Sequence, residues 1–484
     1  MENQAMPNSS HESHLRPSSA KKTFQVMVQF LQRQAASLLL YQAVLRDEVG
    51  ATFLELLESI RYADADGCNC LQAYGKFFSS LAARSQNWEE YLITQILRNQ
   101  NPFSLSSAET EFDKLPAALI AAVSNDLQAL QNIYECNSAV LSEWVQTVAN
   151  LPVSPIVWYS QVDKQVQKHE LTLLAKLQQL DNWAEIIEDL YTHYKNFGSG
   201  IFAQHQALRW CNGKFEGISY PDPVSVDSLV GYESQRDALL KNTQFLLSGK
   251  TALHVLLYGS RGSGKSSLVK SLLNYYSDNN YSDSYSDRIE NDPISETKIS
   301  ETNNRGNLRL IEVTKSDLKD LPSIIDKLRG LPQKFIIFVD DLSFEEDDDS
   351  FKALKVVLEG NLTARPQNVI VYATSNRRHL IREFFKDRPT PKDNDEVHAW
   401  DTMQEKLSFS DRFGLTLTFP GADQITYLKI VHHLASMAHI KLSKEDLTAR
   451  ALQWATRHNG RSGRSAKQFI DFLQSEGEYI SMSE

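Results

Sequence analysis

Gly259-Ser-Arg-Gly-Ser-Gly-Lys-Ser266 follows the apolar run His254-Val-Leu-Leu-Tyr258 and opens into Ser267-Leu-Val-Lys-Ser-Leu-Leu273, which has helical spacing. A strand, a glycine-rich loop and a helix start, in this order, are the context in which the pattern G-x-x-x-x-G-K-[ST] binds phosphate. The glycines let backbone N–H groups point at a phosphate, and the helix N-terminus adds its positive dipole end. The segment therefore predicts a nucleoside triphosphate site. A flexible Gly/Ser turn with a surface lysine is the alternative.

Within this loop, the Lys265 side chain is expected to reach the β- and γ-phosphates of ATP. The Ser266 hydroxyl is expected to ligate Mg²⁺. The residues predicted to bind the nucleotide here are Gly259, Ser260, Arg261, Gly262, Ser263, Gly264, Lys265, Ser266 and Ser267.

The composition is that of a globular protein. The 484 residues are enough for two or three domains with real cores. Apolar residues make up 42% and charged residues 23% of the chain, which argues against global disorder. The net charge of −11 gives no overall electrostatic reason to expect a nucleic-acid partner. No run approaches the roughly 20 apolar residues of a membrane helix, and no apolar signal core opens the sequence.

The cysteines favour a reducing compartment. Cys68, Cys70, Cys136 and Cys211 are too few and too scattered for a disulfide framework, so we expect a cytoplasmic protein. Cys68 and Cys70 lack a second Cys/His pair at metal-ligand spacing, which favours buried or spare thiols over a zinc site.

Periodicity and composition divide the chain into four parts. Residues 1–20 are polar and predicted to be a disordered tail. Residues 21–197 show apolar positions at three- and four-residue spacing and predict a helical N-terminal domain. Residues 198–420 are predicted to be an α/β nucleotide-binding core, and residues 421–484 are read as helical.

Finer expectations follow for each part. Gly50 and Gly67 are expected at helix ends, and one long amphipathic helix is expected over about 161–196. The insert 277–306 is rich in Ser, Asn, Asp and Tyr, so we expect a solvent-exposed, largely disordered loop. Residues 202–210 could form a strand or a helix.

Strands and helices alternate after the insert. Apolar runs at 308–313, 334–340 and 368–376 predict strands, and 316–330 and 351–359 predict helices. Runs that are apolar on both faces, separated by helices, indicate a parallel sheet covered on both sides.

Two carboxylates follow the second of these strands. Asp340 is predicted to hold Mg²⁺, and Asp341 is placed to polarise an attacking water, because ligands bind at the carboxyl ends of parallel strands. Either acid alone could be an ordinary turn residue. The nearby Glu345 and Glu346 are read as part of a solvated acidic loop first and as a substitute base second.

Further polar candidates lie downstream. Asn376 ends a buried strand and could orient water against the γ-phosphate, or it could be a cap residue. Arg412 could act as an arginine finger on a neighbouring subunit's site, or it could pair with Asp411. Arg461 and Arg464 open the last helical stretch and offer guanidiniums for phosphate oxygens, or they form a basic loop.

In this order the elements resemble the AAA+ P-loop ATPases. The resemblance implies a parallel α/β core, a C-terminal helical lid, ATP and Mg²⁺ as cofactors, and ATP-driven self-assembly through the finger arginine. The motifs it assigns are a Walker A at 259–266, a Walker B at 335–341, sensor 1 at Asn376, the finger at Arg412, and a sensor-2 arginine at Arg464 or Arg461.

The wording around the motifs resembles the bacterial family catalogued as domain of unknown function 815, over roughly 191–473. Most AAA+ Walker B motifs end Asp-Glu, whereas this one ends Asp340-Asp341, as in the DnaA-like replication initiators. That departure bears on the hydrolysis rate. The segments that carry the resemblance are Asp227-Ser-Leu-Val-Gly-Tyr-Glu, Gly259-Ser-Arg-Gly-Ser-Gly-Lys-Ser-Ser-Leu-Val-Lys270, Phe338-Val-Asp-Asp-Leu-Ser-Phe-Glu-Glu346, Ala373-Thr-Ser-Asn-Arg-Arg-His-Leu380, Ser410-Asp-Arg-Phe-Gly-Leu415 and Gly460-Arg-Ser-Gly-Arg464.

Three functional hypotheses follow. The first is an ATPase that hydrolyses ATP with Mg²⁺ and remodels or regulates a protein partner held by the helical half. The second is an ATP-dependent adaptor or switch that hydrolyses slowly or not at all and acts through binding. The third is a DNA-associated loader or initiator-like ATPase, for which the basic stretch 376–382 is the local support.

Overall fold

The computed structural model describes residues 17–159, 168–276, 307–344, 350–359, 366–376, 409–458 and 460–481. The predicted insert 277–306, Glu345 and Glu346, and residues 377–382 of the basic stretch lie outside these ranges. The first helix begins at Pro17, so residues 17–20, which we predicted to belong to a disordered tail, are helical.

The chain divides into two compact units, the first ending at Lys195 and the second starting at Asn196. The described part of the first unit contains helices and no strand. Its helices are α1 (Pro17–Ser37), α2 (Glu48–Arg61), α3 (Cys68–Arg84), α4 (Trp88–Arg98), α5 (Pro102–Glu109), α6 (Ala117–Glu135), α7 (Ser138–Val148), α8 (Lys168–Gln179) and α9 (Ile187–Phe197), the last of which crosses the boundary.

The core of the first unit is built on aromatic rings and one buried carboxylate. Phe53 stacks on Trp88 with their ring centroids 4.2 Å apart. Asp126 is fully buried and accepts backbone N–H groups of Leu39, Leu40 and Tyr41 at 2.7–3.0 Å. This carboxylate pairs three donors that the turn after α1 would otherwise leave unsatisfied.

Two expectations for this unit were wrong. Gly50 lies inside α2 rather than at a helix end. Glycine is needed there for packing, since a Cβ would come within 2.5 Å of the Leu45 backbone. The long helix expected over 161–196 is interrupted in its described part between α8 and α9. The Asn182 side chain accepts the Ala184 N–H and starts a 3₁₀ turn, which stops the α-helical hydrogen bonding.

The second unit contains a seven-stranded sheet. Its strands are β1 (Ala207–Cys211), β2 (Lys214–Gly217), β3 (Val255–Gly259), β4 (Leu308–Glu312), β5 (Lys334–Val339), β6 (Val369–Ser375) and β7 (Leu415–Phe419). The strand order is β2-β1-β4-β5-β6-β3-β7, in which β1 and β2 pair antiparallel and every other pair is parallel.

Helices cover the sheet and continue beyond it. They are α10 (Ile201–Gln204), α11 (Glu233–Leu247), α12 (Lys265–Tyr275), α13 (Leu321–Leu328), α14 (Ser350–Glu359), and then α15 (Gln424–Met437), α16 (Lys444–Arg457) and α17 (Gly463–Ser481). Separate apolar clusters fill the two faces of the sheet, and another holds α15, α16 and α17 together. We call these last three helices the lid.

The predicted fold class is confirmed: a parallel α/β core with a C-terminal helical lid follows an all-α N-terminal region. Residues 202–210, left open by the sequence, contain the end of α10 and most of β1. The sequence reading missed the β1–β2 hairpin and β7. The predicted helix over 316–330 begins instead as the 3₁₀ turn Lys315–Asp320, which α13 follows.

No helix in the described ranges has both the length and the apolar character needed to cross a bilayer. The four cysteines form no disulfide. Cys70 and Cys136 are buried, Cys211 is half-buried and Cys68 is exposed.

Candidate nucleotide-binding site

The glycine-rich segment 259–266, which we call the phosphate loop, connects β3 to α12. Gly262 and Gly264 have φ of 72° and 91°, a left-handed backbone that only glycine adopts readily. Gly259 ends β3 with φ of 139°, and a Cβ there would lie 1.9 Å from the Phe419 carbonyl of β7. The sequence therefore needs glycine at these positions for the chain to make this turn so close to its neighbouring strand.

Lys265, the first residue of α12, points back into the loop. Its Nζ donates to the carbonyls of Gly259 at 3.0 Å and Ser260 at 2.8 Å, and lies 3.2 Å from Asn376 Oδ1. Burial lowers the pKa of Lys265, while the nearby carboxylates of Asp341 and Asp340 act to raise it. A cation held by uncharged partners beside two acids is available to an anionic ligand.

Asp340 lies at the carboxyl end of β5, next to the phosphate loop. Its Oδ1 accepts the Ser266 hydroxyl at 2.6 Å and the Thr374 hydroxyl at 2.5 Å. The two residues predicted to bind Mg²⁺, Ser266 and Asp340, are thus in direct contact. The sequence analysis missed Thr374, which ends the apolar run of β6 two residues before Asn376.

Asp341 and Asn376 are also brought together. Asn376 Nδ2 donates to Asp341 Oδ1 at 2.6 Å, so one amide joins Asp341 to Lys265. Asp341 has a φ of 50°, in the left-handed region that aspartate tolerates better than most side chains. The predicted base and the predicted sensor therefore form one connected group with the loop lysine.

A cavity of about 460 Å³ lies over the phosphate loop. Residues 261–267, Asp340, Asp341 and Asn376 line it on one side. The sequence analysis missed its apolar part, although the segment 227–233 carries part of the family resemblance. The apolar and aromatic lining residues are Val224, Leu229, Val230, Tyr232, Leu268, Phe419, Ile430 and Leu434. A lining that contains both charged and apolar residues suits a ligand with a charged part and an apolar part.

The lid closes one wall of the cavity. The Arg464 backbone N–H donates to the Gly262 carbonyl at 3.1 Å, so α17 starts on the phosphate loop itself. The Arg464 side chain lines the cavity, together with Lys467 three residues later on the same helical face. The Arg461 guanidinium instead donates to Gln424 Oε1 at 3.1 Å.

The predicted finger, Arg412, is elsewhere. It ends the 3₁₀ turn Phe409–Arg412 and is half-buried, and it is not one of the described residues that line the cavity. Gly259 and Ser260 also lie outside the lining, where they position the loop and accept hydrogen bonds from Lys265.

The site fits a magnesium–nucleotide complex. Ser266 and Asp340 offer hard oxygen ligands in direct contact with each other. They lie beside a loop in which Gly259 leaves no room for a Cβ. Within the described ranges no group of three or more His, Cys, Asp or Glu side chains could hold a metal on its own. Magnesium bound by one or two protein oxygens plus phosphates needs no such group.

Comparison with solved structures finds weak likeness to the Holliday junction branch migration motor RuvB of Thermotoga maritima. One RuvB structure has a TM-score of 0.30 and 14% identity, over 52% of this chain and 72% of that chain. A variant of the same motor has a TM-score of 0.29 and 14% identity, over 52% and 73%. Branch migration is a property stated for RuvB. Among curated proteins, nothing matches.

The family model described as "Protein of unknown function (DUF815)" matches residues 203–477. The match runs from β1 into the lid and includes the phosphate loop, the Asp340–Asp341 pair and Arg464. It confirms the family resemblance predicted from the motifs. Because the matched residues are more than half of the chain, the protein belongs to the DUF815 family.

Proposed function

We propose that this protein is an AAA+ type ATPase that binds ATP with Mg²⁺ in the cavity over the phosphate loop and hydrolyses it. The single observation that carries the proposal is the convergence of four separate segments on that cavity. They supply Lys265 from the loop, Asp340 and Asp341 from β5, Asn376 from β6 and Arg464 from the lid.

Different residues of the site bind the phosphates and Mg²⁺. Backbone N–H groups of the loop and the N-terminus of α12 receive the phosphates, and Lys265 exchanges its carbonyl partners for phosphate oxygens. Ser266 and Asp340 hold Mg²⁺, which when bound neutralises charge on the phosphate oxygens. Arg464 adds a second cation from the lid.

Asp341 and Asn376 act on the water. Once a phosphate draws Lys265 away, the Asn376 amide is free to orient a water, and the Asp341 carboxylate accepts its proton. The apolar wall formed by Leu229, Val230 and Ile430 receives the nucleobase and excludes solvent there.

Arg412 completes the site of a neighbouring copy. A guanidinium outside its own cavity can stabilise transition-state charge only across an interface, so hydrolysis depends on ATP-dependent self-assembly. The helical first unit, which ends at Lys195, is proposed to contact the protein client that the ATPase remodels or regulates.

A second candidate function has one observation in its favour. The Asp341 carboxylate accepts the Asn376 amide at 2.6 Å, which occupies one of the two oxygens of the proposed base. If that contact persists with ATP bound, the protein is a slow ATP-dependent adaptor or switch that acts through binding.

Steady-state ATP hydrolysis at several protein concentrations tests the proposal. The variants are Lys265→Ala and Arg412→Ala, with Arg457→Ala, at an exposed lid arginine, as the matched control. We expect wild-type specific activity to rise with concentration. Both site variants should lose turnover, Arg412→Ala should keep ATP binding, and Arg457→Ala should match wild type. Tight ATP binding with turnover no faster than Lys265→Ala would favour the adaptor.

A further inference from the structure

The Thr374 hydroxyl forms hydrogen bonds with both Asp340 and Asp341, to the side chain of the first and to the backbone of the second. Thr374 lies in β6 and is 2% exposed. Its Oγ1 donates to Asp340 Oδ1 at 2.5 Å and accepts the Asp341 backbone N–H at 2.9 Å. One buried oxygen thus acts as donor to the first acid and acceptor from the second.

The same residue also fixes the chain beyond the pair. The Thr374 carbonyl accepts the Leu342 N–H at 2.7 Å, so its main chain and side chain together hold 340–342 against β6. This segment includes the left-handed backbone of Asp341, whose φ is 50°. A non-glycine residue keeps such a conformation when its surroundings determine it.

The chemistry at position 374 is restrictive. A carboxylate or a carbonyl could accept the Asp341 N–H but could not donate to Asp340, and an ammonium could donate but not accept. A hydroxyl does both, and the branched Cβ of threonine suits a buried strand. Valine has nearly the same shape without the hydroxyl, and serine keeps the hydroxyl without the methyl group.

We propose that Thr374 is a positioning residue that orients Asp340 toward Mg²⁺ and fixes the backbone of Asp341, so that Mg²⁺-dependent nucleotide binding requires its hydroxyl. This inference rests on the proposed nucleotide function. Groups that orient metal ligands in this way change metal affinity or activity by about 10- to 100-fold when removed.

The chain provides a matched control for the loss of a buried threonine hydroxyl. Thr243 is fully buried in α11, and its Oγ1 lies 2.9 Å from the Tyr372 hydroxyl. Thr243→Val removes a hydrogen bond of similar length from the same unit, and Thr243 does not line the cavity. An effect common to both valine variants is therefore an effect on stability.

The experiment measures ATP affinity by calorimetry in Mg²⁺ and in EDTA for wild type, Thr374→Val, Thr374→Ser and Thr243→Val. We expect Mg²⁺ to tighten ATP binding in wild type and Thr243→Val. In Thr374→Val that gain should fall by about tenfold or more, with the affinity in EDTA within about twofold of wild type. Thr374→Ser should recover most of the gain. Thermal unfolding without nucleotide reports the stability of each variant.

The outcomes separate the two hypotheses. A wild-type protein that binds no ATP overturns the proposed function and the role of Thr374 with it. A wild type that binds ATP with Mg²⁺, together with an unchanged Mg²⁺ gain in Thr374→Val, overturns the role of Thr374 alone. An equal loss in Thr243→Val, or no recovery in Thr374→Ser, also overturns it, because the hydroxyl would then not be the cause.

Discussion

Lys265 and Asn376 are hydrogen-bonded to each other, with Lys265 Nζ 3.2 Å from Asn376 Oδ1. The lysine comes from the start of α12 and the asparagine from the end of β6, yet the same amide also reaches Asp341. The lysine, the amide and the acid are therefore joined by hydrogen bonds into one group, so that a ligand phosphate that draws off Lys265 would change the surroundings of the acid.

The first prediction concerns the middle member of this group. Asn376→Ala removes the amide that we propose orients water and that donates to Asp341 at 2.6 Å. We expect ATP turnover to fall about 100-fold, the size of effect seen when one positioned polar donor is lost. ATP affinity should stay within about threefold, because the Gly259 and Ser260 carbonyls still position Lys265 in the loop until phosphate oxygens replace them. Turnover assays and calorimetry measure the two effects, and an equal loss in both would contradict the assignment.

Asp341→Asn tests the acid without disturbing the backbone. Asparagine tolerates the left-handed conformation at φ of 50° as aspartate does, so the fold should be unaffected. Loss of the carboxylate should lower single-turnover hydrolysis by about 100-fold or more while ATP still binds. Thermal unfolding checks the fold. Wild-type hydrolysis in this variant would remove Asp341 as the base.

The two candidate sensor-2 arginines should differ. Arg464 lines the cavity, whereas Arg461 donates to Gln424. Arg464→Ala should weaken ATP binding by about tenfold, the loss of one charge-assisted contact, and Arg461→Ala should leave it within about twofold. Fluorescent-nucleotide titration of both variants measures this. The reverse order would assign the sensor-2 role to Arg461.

A fourth prediction concerns acid pH. Lys429 Nζ lies 2.7 Å from Glu233 Oε1, and this partner, with the Gly231 N–H, lowers the pKa of Glu233 from 4.5 to about 2. A lowered pKa in the folded state means that this contribution to stability is present above about pH 4.5 and is lost as the pH falls toward 2.

Melting temperatures of wild type and Glu233→Gln from pH 7 down to 3 measure that contribution. The difference should be constant above pH 5 and should shrink below pH 4.5. Lys429→Met, which removes the other partner, should show the same dependence. A melting-temperature difference that does not change with pH would contradict the stabilising role of the ionised Glu233 carboxylate.

The fifth prediction tests the first unit. Asp126→Asn places an NH₂ group against the N–H donors of Leu39, Leu40 and Tyr41. We expect a loss of about 3 kcal/mol in the free energy of unfolding, because hydrogen bonds to a buried charged group are lost. Urea unfolding measures the loss, and Asp66→Asn, at an exposed position, is the control. A loss as small as the control's would contradict the structural role of Asp126.

The sequence predicted those parts of the site that lie close together along the chain. The loop around Lys265 and the pair Asp340–Asp341 depend on local spacing, so a strand, a turn and a helix start were enough to find them. Thr374 could not be found this way, because it meets Asp340 from 34 residues away and its role depends on parallel strand pairing.

The difference between the two candidate sensor-2 arginines has the same origin. Arg461 and Arg464 are three residues apart, but Arg464 lies in α17, whose start on Gly262 brings it to the cavity from 202 residues away. Gly50 is a different case, because it was predicted at a helix end and lies in the first turn of α2, where a Cβ would come within 2.5 Å of the Leu45 backbone. Periodicity and turn chemistry decided most of the elements, whereas contacts between elements decided the surroundings of Thr374 and Arg464.

Because the Arg464 N–H donates to the Gly262 carbonyl, binding of a nucleotide in the proposed site would be thermodynamically linked to the position of the lid. If the lid tilts away, it loses its hydrogen bond to the loop that is proposed to hold the phosphates. The position of the lid and the binding of the nucleotide would therefore share a single coupling free energy. Such coupling is reciprocal: whatever factor a bound nucleotide adds to lid closure, a partner that grips the closed lid adds to nucleotide affinity. A protein that separates α17 from the loop would therefore promote nucleotide release without binding in the cavity.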